Sequence, residues 1–100
     1  MDDIKNTIEP ILKKYPIVYA GIFGSVSRGT STLESDIDIL IQYEKNKRFS
    51  LLTLIQLENE LADALETKVD LVTEGGLNKY IKEGVLNDLK VIYGSRVASD

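Results

Sequence analysis

The apolar positions of this chain change period several times, and each change marks a structural element. Ile4, Ile8, Ile11 and Leu12 recur at helical spacing, with Asp2 or Asp3 available as N-cap, so a helix is predicted over 3–14. Pro10 falls inside that pattern and predicts a kink, or a helix that begins properly only near Glu9. The run Ile17 to Phe23 is β-branched, aromatic and closed by glycine, as a buried strand would be. A turn and a short helix through Arg28 follow Gly24-Ser25, and 30–35 is polar and loop-like. Asp36 to Tyr43 then alternates strictly, with Ile37, Ile39 and Ile41 on one face and Asp36, Asp38, Leu40 and Gln42 on the other.

Beyond a charged connector, Glu44 to Arg48, Ser50 caps the longest predicted helix, about 51–66. Its apolar face is read as Leu51, Leu54, Ile55, Leu61, Ala62 and Leu65, with Glu58 mainly outside it. Lys68 to Val72 is a third strand, with Asp70 between apolar neighbours. Gly75-Gly76 breaks the chain before a helix over 77–82, with a further turn over 84–88 and a fourth strand over 89–93. The fold class expected is α/β (α+β): one short sheet of about four strands flanked by helices. The tight spacing of the first two strands leaves little room for a parallel crossover, so a mixed sheet is expected rather than a doubly wound parallel one. Residues 1–94 are expected to form a single domain and 95–100 a flexible tail.

Composition removes several chemistries. The formal charge of −4 argues against a protein that grips a nucleic-acid backbone. With no cysteine and no histidine, thiolate metal sites, cysteine nucleophiles and imidazole bases are absent. No apolar run is long enough to span a membrane and no signal peptide opens the chain, so a cytoplasmic location is expected. Catalysis must use carboxylates, hydroxyls, Lys or Arg.

The candidate chemistry lies between Gly24 and Ile41. Gly24 and Gly29 have the spacing of a Walker A loop, but Thr30 stands where its lysine should be, and no glycine follows at i+2 for a dinucleotide fingerprint. What remains is a strand-to-helix turn whose backbone N–H groups and Ser25 hydroxyl either cradle a phosphate or simply cap a helix. Asp36 and Asp38 share a strand face, a crowding of charge that folding does not require and a hard cation rewards. Asp70, in a strand that reads as buried, is a third acid that would be costly without a partner. Three carboxylates beside a phosphate cradle suit metal-assisted phosphoryl or nucleotidyl transfer. Arg28 suits either a phosphate contact or a surface ion pair, and Lys79 and Lys82 either phosphates or a solvated helix face. Gly94-Ser95 repeats the Gly-Ser pair with no acidic strand behind it.

Gly24-Ser25-Val26-Ser27-Arg28-Gly29 followed by Ser35-Asp36-Ile37-Asp38-Ile39-Leu40 resembles the signature of the DNA polymerase beta-like nucleotidyltransferase superfamily. The chain's size resembles that of the superfamily's minimal nucleotidyltransferases, among them MntA-like antitoxins. Ser27 departs mildly from the pattern, where a small apolar residue is common. The resemblance implies a nucleotidyltransferase fold. It also implies nucleotide binding by Gly24, Ser25 and Arg28, and two Mg²⁺ ions held by Asp36, Asp38 and Asp70, which are also the catalytic acids. Its implied activity is transfer of AMP from ATP to a hydroxyl, with a tyrosine of a HEPN-domain toxin as the foremost acceptor. Two alternatives stay open: an antitoxin that neutralises its partner by contact alone, and transfer to a small molecule.

Overall fold

The computed structural model describes residues 2–24 and 37–94. The elements run α1 (Asp2–Leu12), β1 (Ile17–Phe23), β2 (Ile37–Tyr43), α2 (Leu51–Leu65), β3 (Val69–Thr73), a 3₁₀ turn (Glu74–Gly76), α3 (Lys79–Asp88) and β4 (Lys90–Gly94). The strands form one sheet in the order β3-β2-β1-β4. β1 pairs antiparallel with β2 and β4, and β2 pairs parallel with β3, so the sheet is mixed, as expected.

Two layers cover the sheet unequally. On one face Ile8 and Leu12 of α1 and Leu57 and Leu61 of α2 pack against Ala20, Ile22, Ile37, Ile39, Ile41, Val69, Leu71 and Ile92. On the other face Val85 of α3, with Leu77, Leu86 and Leu89 around it, packs on Tyr19, Leu40, Phe23 and Val72. Ile17 and Tyr19 belong to opposite faces although they are two residues apart, because the β1–β2 register shifts between them.

Several boundaries differ from expectation. α1 begins at Asp2 rather than near Glu9 and continues past Pro10. Proline removes only the N–H that would meet the Asn6 carbonyl, and Asn6 and Pro10 are both exposed, where water replaces that bond. α3 is one helix through Gly84, not a short helix plus a turn; the Asn78 side chain caps it by accepting from the Tyr80 and Ile81 N–H groups at 3.0 Å. α2 has the expected cap, Ser50 Oγ accepting from the Thr53 N–H at 3.2 Å. Its buried face is rotated from the expected one: Leu57 is fully buried, whereas Leu51, Leu52 and Ile55 are exposed. Glu58, expected outside, is half-buried over β3. The reason is tertiary: α2 packs on α1 and β3, and that seating decides which of its sides is buried.

Candidate active site

Asp38 is the second residue of β2, an interior strand, and Asp70 is the second residue of β3, the edge strand beside it. The parallel register places Asp38 directly opposite Asp70. Laterally paired residues of neighbouring strands point the same way, so the two carboxylates stand on one face, with strand axes about 5 Å apart. That face is the α3 side, since Leu40 and Val72, two residues further along each strand, pack beneath α3. The apolar cover stops short of the acids, leaving Asp38 half-buried and Asp70 exposed. The expectation that Asp70 lies in a buried strand is therefore corrected. β3 is buried on its other face, through Val69 and Leu71, and open on the face that carries the acid.

The third component comes from β1. Phe23 is the antiparallel partner of Asp38, and Gly24 follows it with a φ of +79°. A Cβ on Gly24 would lie 2.6 Å from Asp38 Oδ2. Glycine is thus required twice, by the left-handed backbone and by the carboxylate against it. Sequence reasoning selected Gly24 for a phosphate cradle, but its approach to Asp38 could not be read without the strand register. Ser25, Arg28 and Asp36 lie outside the described residues, as do the predicted short helix and the 95–100 tail. Among the described residues, then, Gly24, Asp38 and Asp70 are brought together at one end of β1, β2 and β3.

An edge strand needs an anchor if its acid is to stay in register. Glu58 of α2 supplies one, its Oε2 accepting from the Leu71 N–H at 3.1 Å, one residue beyond Asp70. This bond closes part of the open edge of β3. The sequence signal was slight: a lone acid facing a helix edge otherwise reads as solvated.

The two lysines considered for phosphate contact sit elsewhere. Lys82 Nζ lies 3.9 Å from Glu74, a buried acid, and both line a cavity of about 250 Å³ with Gln42, Tyr43, Lys45 and Thr73. That cavity is at the C-terminal ends of β2 and β3, the opposite end from Asp38 and Asp70, so it is not where the paired acids work. Lys79 lies over the ring of Tyr80, 5.3 Å from its centroid, on the exposed start of α3. Gly94, the second Gly-Ser glycine, serves packing: its φ is +66° and a Cβ there would lie 2.0 Å from the Val18 carbonyl oxygen.

The model of the polymerase beta nucleotidyltransferase family matches residues 6–97. The chain belongs to that family. As a nucleotidyltransferase it is similar to MJ0126 of Methanocaldococcus jannaschii, a provisionally named protein adenylyltransferase, with 49% identity over 78 residues, covering 77% of this chain and 78% of the relative. A crystal structure of a toxin–antitoxin with AMP-PNP superposes with a TM-score of 0.79 at 28% identity, covering 92% of this chain and 74% of that one. A third relative is known in a complex of the tri-AMPylated Shewanella oneidensis HEPN toxin with its MNT antitoxin. There the TM-score is 0.73 at 24% identity, covering 94% of this chain and 72% of the other, a likeness of fold alone.

The donor set fits a hard divalent cation: two carboxylates side by side on one sheet face, with no cysteine or histidine in the chain. Two adjacent like charges without a cation would repel, and an interior strand is an unfavourable place to keep one of them.

Proposed function

We propose that this nucleotidyltransferase transfers AMP from ATP to a tyrosine hydroxyl of a HEPN-domain toxin, as the antitoxin of the pair. The observation that carries the reading is the lateral pairing of Asp38 with Asp70 while the Gly24 backbone closes on the Asp38 carboxylate. The relatives supply its terms: protein adenylylation by name, a nucleotide analogue in one complex, and an AMPylated HEPN toxin in another. This reading takes residues 1–94 as one catalytic domain and 95–100 as a tail, and places the activity in the cytoplasm. In support, none of the described helices is long and apolar enough to cross a membrane.

In this mechanism the Gly24-Ser25 turn holds the β and γ phosphates, and Arg28 steadies their charge. Asp36, Asp38 and Asp70 would hold two Mg²⁺ ions, which would supply positive charge to neutralise the triphosphate and make its α-phosphorus more electrophilic. Asp38 fixes the site to the rigid centre of the sheet. Asp70, on the open edge strand, faces the side from which a protein hydroxyl can approach, and its carboxylate oxygen takes the hydroxyl proton. The tyrosine oxygen forms a bond to the α-phosphorus as the bond to the pyrophosphate oxygen breaks. Pyrophosphate leaves and AMP stays on the acceptor.

The test is intact-mass spectrometry of a HEPN-domain toxin after incubation with the chain, ATP and Mg²⁺. A gain of one or more AMP units is expected, and Asp38→Asn should reduce its rate more than about 100-fold, beyond what loss of an outer-shell partner costs. A partner that is inhibited yet unmodified would overturn the enzymatic reading in favour of neutralisation by contact.

A further inference from the structure

The acids occupy one end of β2, and a different surface occupies the other. Beyond Tyr43 the chain enters a loop with three exposed cations within four positions, Lys45, Lys47 and Arg48. Among the described residues none of the three joins an ion pair. The chain as a whole is acidic, at −4, so this loop is a local reversal of sign. Immediately after it, the first turns of α2 expose Leu51 at 71%, Leu52 at 78% and Ile55 at 46%. Residues 51, 52 and 55 are neighbours on a helix surface, so the three side chains form one patch. Leu54, Leu57 and Leu61 of the same helix already meet the core's demand. Folding therefore leaves the outer trio uncovered, and exposed clusters of large aliphatic residues beside charge mark contact surfaces.

We infer that this surface, Leu51, Leu52 and Ile55 with the exposed cations Lys45, Lys47 and Arg48 just before them in the chain, is where the partner toxin docks, through an apolar face accompanied by carboxylates. The inference rests on the proposed HEPN partnership and assigns its location on this chain. Charge selects among occupants. A second copy meeting the patch across a two-fold axis would bring both basic loops together, and like charges would oppose it. Single-stranded nucleic acid is bound on aromatic platforms, whereas the exposed trio is aliphatic and the aromatics flanking the loop, Tyr43 and Phe49, stack on each other and pack against the core. A bilayer-surface helix needs a long apolar stripe, whereas only the first turns of α2 are apolar outward before Gln56 and Asn59 follow. A protein with an apolar face accompanied by carboxylates satisfies both halves. The position also suits the chemistry, because docking at the far end of the sheet leaves Asp38 and Asp70 open to a tyrosine on an extended segment of the partner.

The experiment measures binding of the full chain to the HEPN-domain toxin used in the transfer assay, by calorimetry at low and high salt, with AMP transfer followed in parallel. Two variants are compared with wild type: Leu51→Asp with Leu52→Asp, and Lys45→Glu with Lys47→Glu and Arg48→Glu. All five side chains are exposed, and intact ATP–Mg²⁺ binding reports that each variant is folded; the loop variant alone decides the matter if the helix variant is not. Each variant should weaken the partner's Kd by more than about tenfold. The loop variant should also lose the salt dependence that wild type shows. If wild type binds and transfers AMP while both variants bind equally well, the surface assignment falls and the proposed function stands. If wild type neither binds nor modifies the partner, both fall. Self-association, vesicle binding or RNA binding that the variants abolish, with partner binding unchanged, would equally overturn the assignment.

Discussion

The two faces of the sheet are made from the same strands, yet one is sealed and the other is half open. Ile37, Ile39 and Ile41 of β2 point beneath α1 and α2, in a continuous aliphatic layer. Between them Asp38 and Leu40 point the other way, and there α3 covers Leu40 and stops before Asp38. The sealed face holds the fold together by excluding water. The α3 face gives up part of that stabilisation and leaves Asp38 half-buried and Asp70 exposed. One strand thus carries buried aliphatics and an acid at alternate residues, as the two-residue period of a strand permits.

The sharpest way to break this comparison is to exchange the cost between neighbours. Ile39→Ala, on the sealed face, should lower unfolding free energy by about 2–5 kcal/mol in a denaturant titration. Asp38→Asn, one residue away, should cost much less stability, since it removes no buried apolar volume, while abolishing Mg²⁺-dependent ATP binding in calorimetry. Equal loss of stability in both would show that the α3 face is as structural as the other.

A smaller effect is expected where the sealed side steadies the open one. Glu58→Ala should leave the Leu71 N–H without its acceptor, costing about 1–3 kcal/mol, and should speed amide hydrogen exchange along β3 around Asp70. Glu58→Gln keeps an acceptor and should restore most of the protection. If exchange in β3 is the same in Glu58→Ala as in wild type, Glu58 does not anchor the edge strand.

The smallest effect concerns the link between the two helices of the sealed face. Glu60 of α2 accepts from the Tyr15 hydroxyl and from Lys14 Nζ, both just beyond α1. Burial, then the hydrogen bond and the charge of Glu60, push the Tyr15 phenol up from 10.0 to about 12. The hydrogen bonds from Lys14 and then Tyr15 hold the Glu60 carboxyl below its ordinary value. A raised phenol favours the protonated form in the folded state, so its contribution is complete below pH 10 and is lost as pH rises through about 12. Glu60 has the opposite sign: its contribution is complete above the ordinary carboxylate value and is lost as pH falls through its lowered one. Tyr15→Phe should therefore flatten the alkaline decline of Tm between pH 10 and 12, and Glu60→Gln should flatten part of the acid decline. A Tm profile unaltered on both limbs would show that this link adds nothing to the sealed face.

The sequence by itself determined most of the elements and the family. Strict alternation located β2 and put Asp38 opposite its isoleucines, Ser50 marked the start of α2, and the tight spacing of the first two strands favoured a mixed sheet. The Gly-Ser turn and spaced acids indicated the family whose model matches residues 6–97. Only the tertiary structure decided which positions meet. The register set Asp38 against Asp70, and the return of β1 brought Gly24 onto the Asp38 carboxylate. The seating of α2 turned Leu57 inward, left Leu51 and Ile55 outside and drew Glu58 to β3. Lys82 went to the far pocket with Glu74. The physical reason is one of range. Period, caps and turn residues act through neighbours in the chain and are legible there, whereas strand pairing and helix rotation are settled by which distant surfaces bury one another.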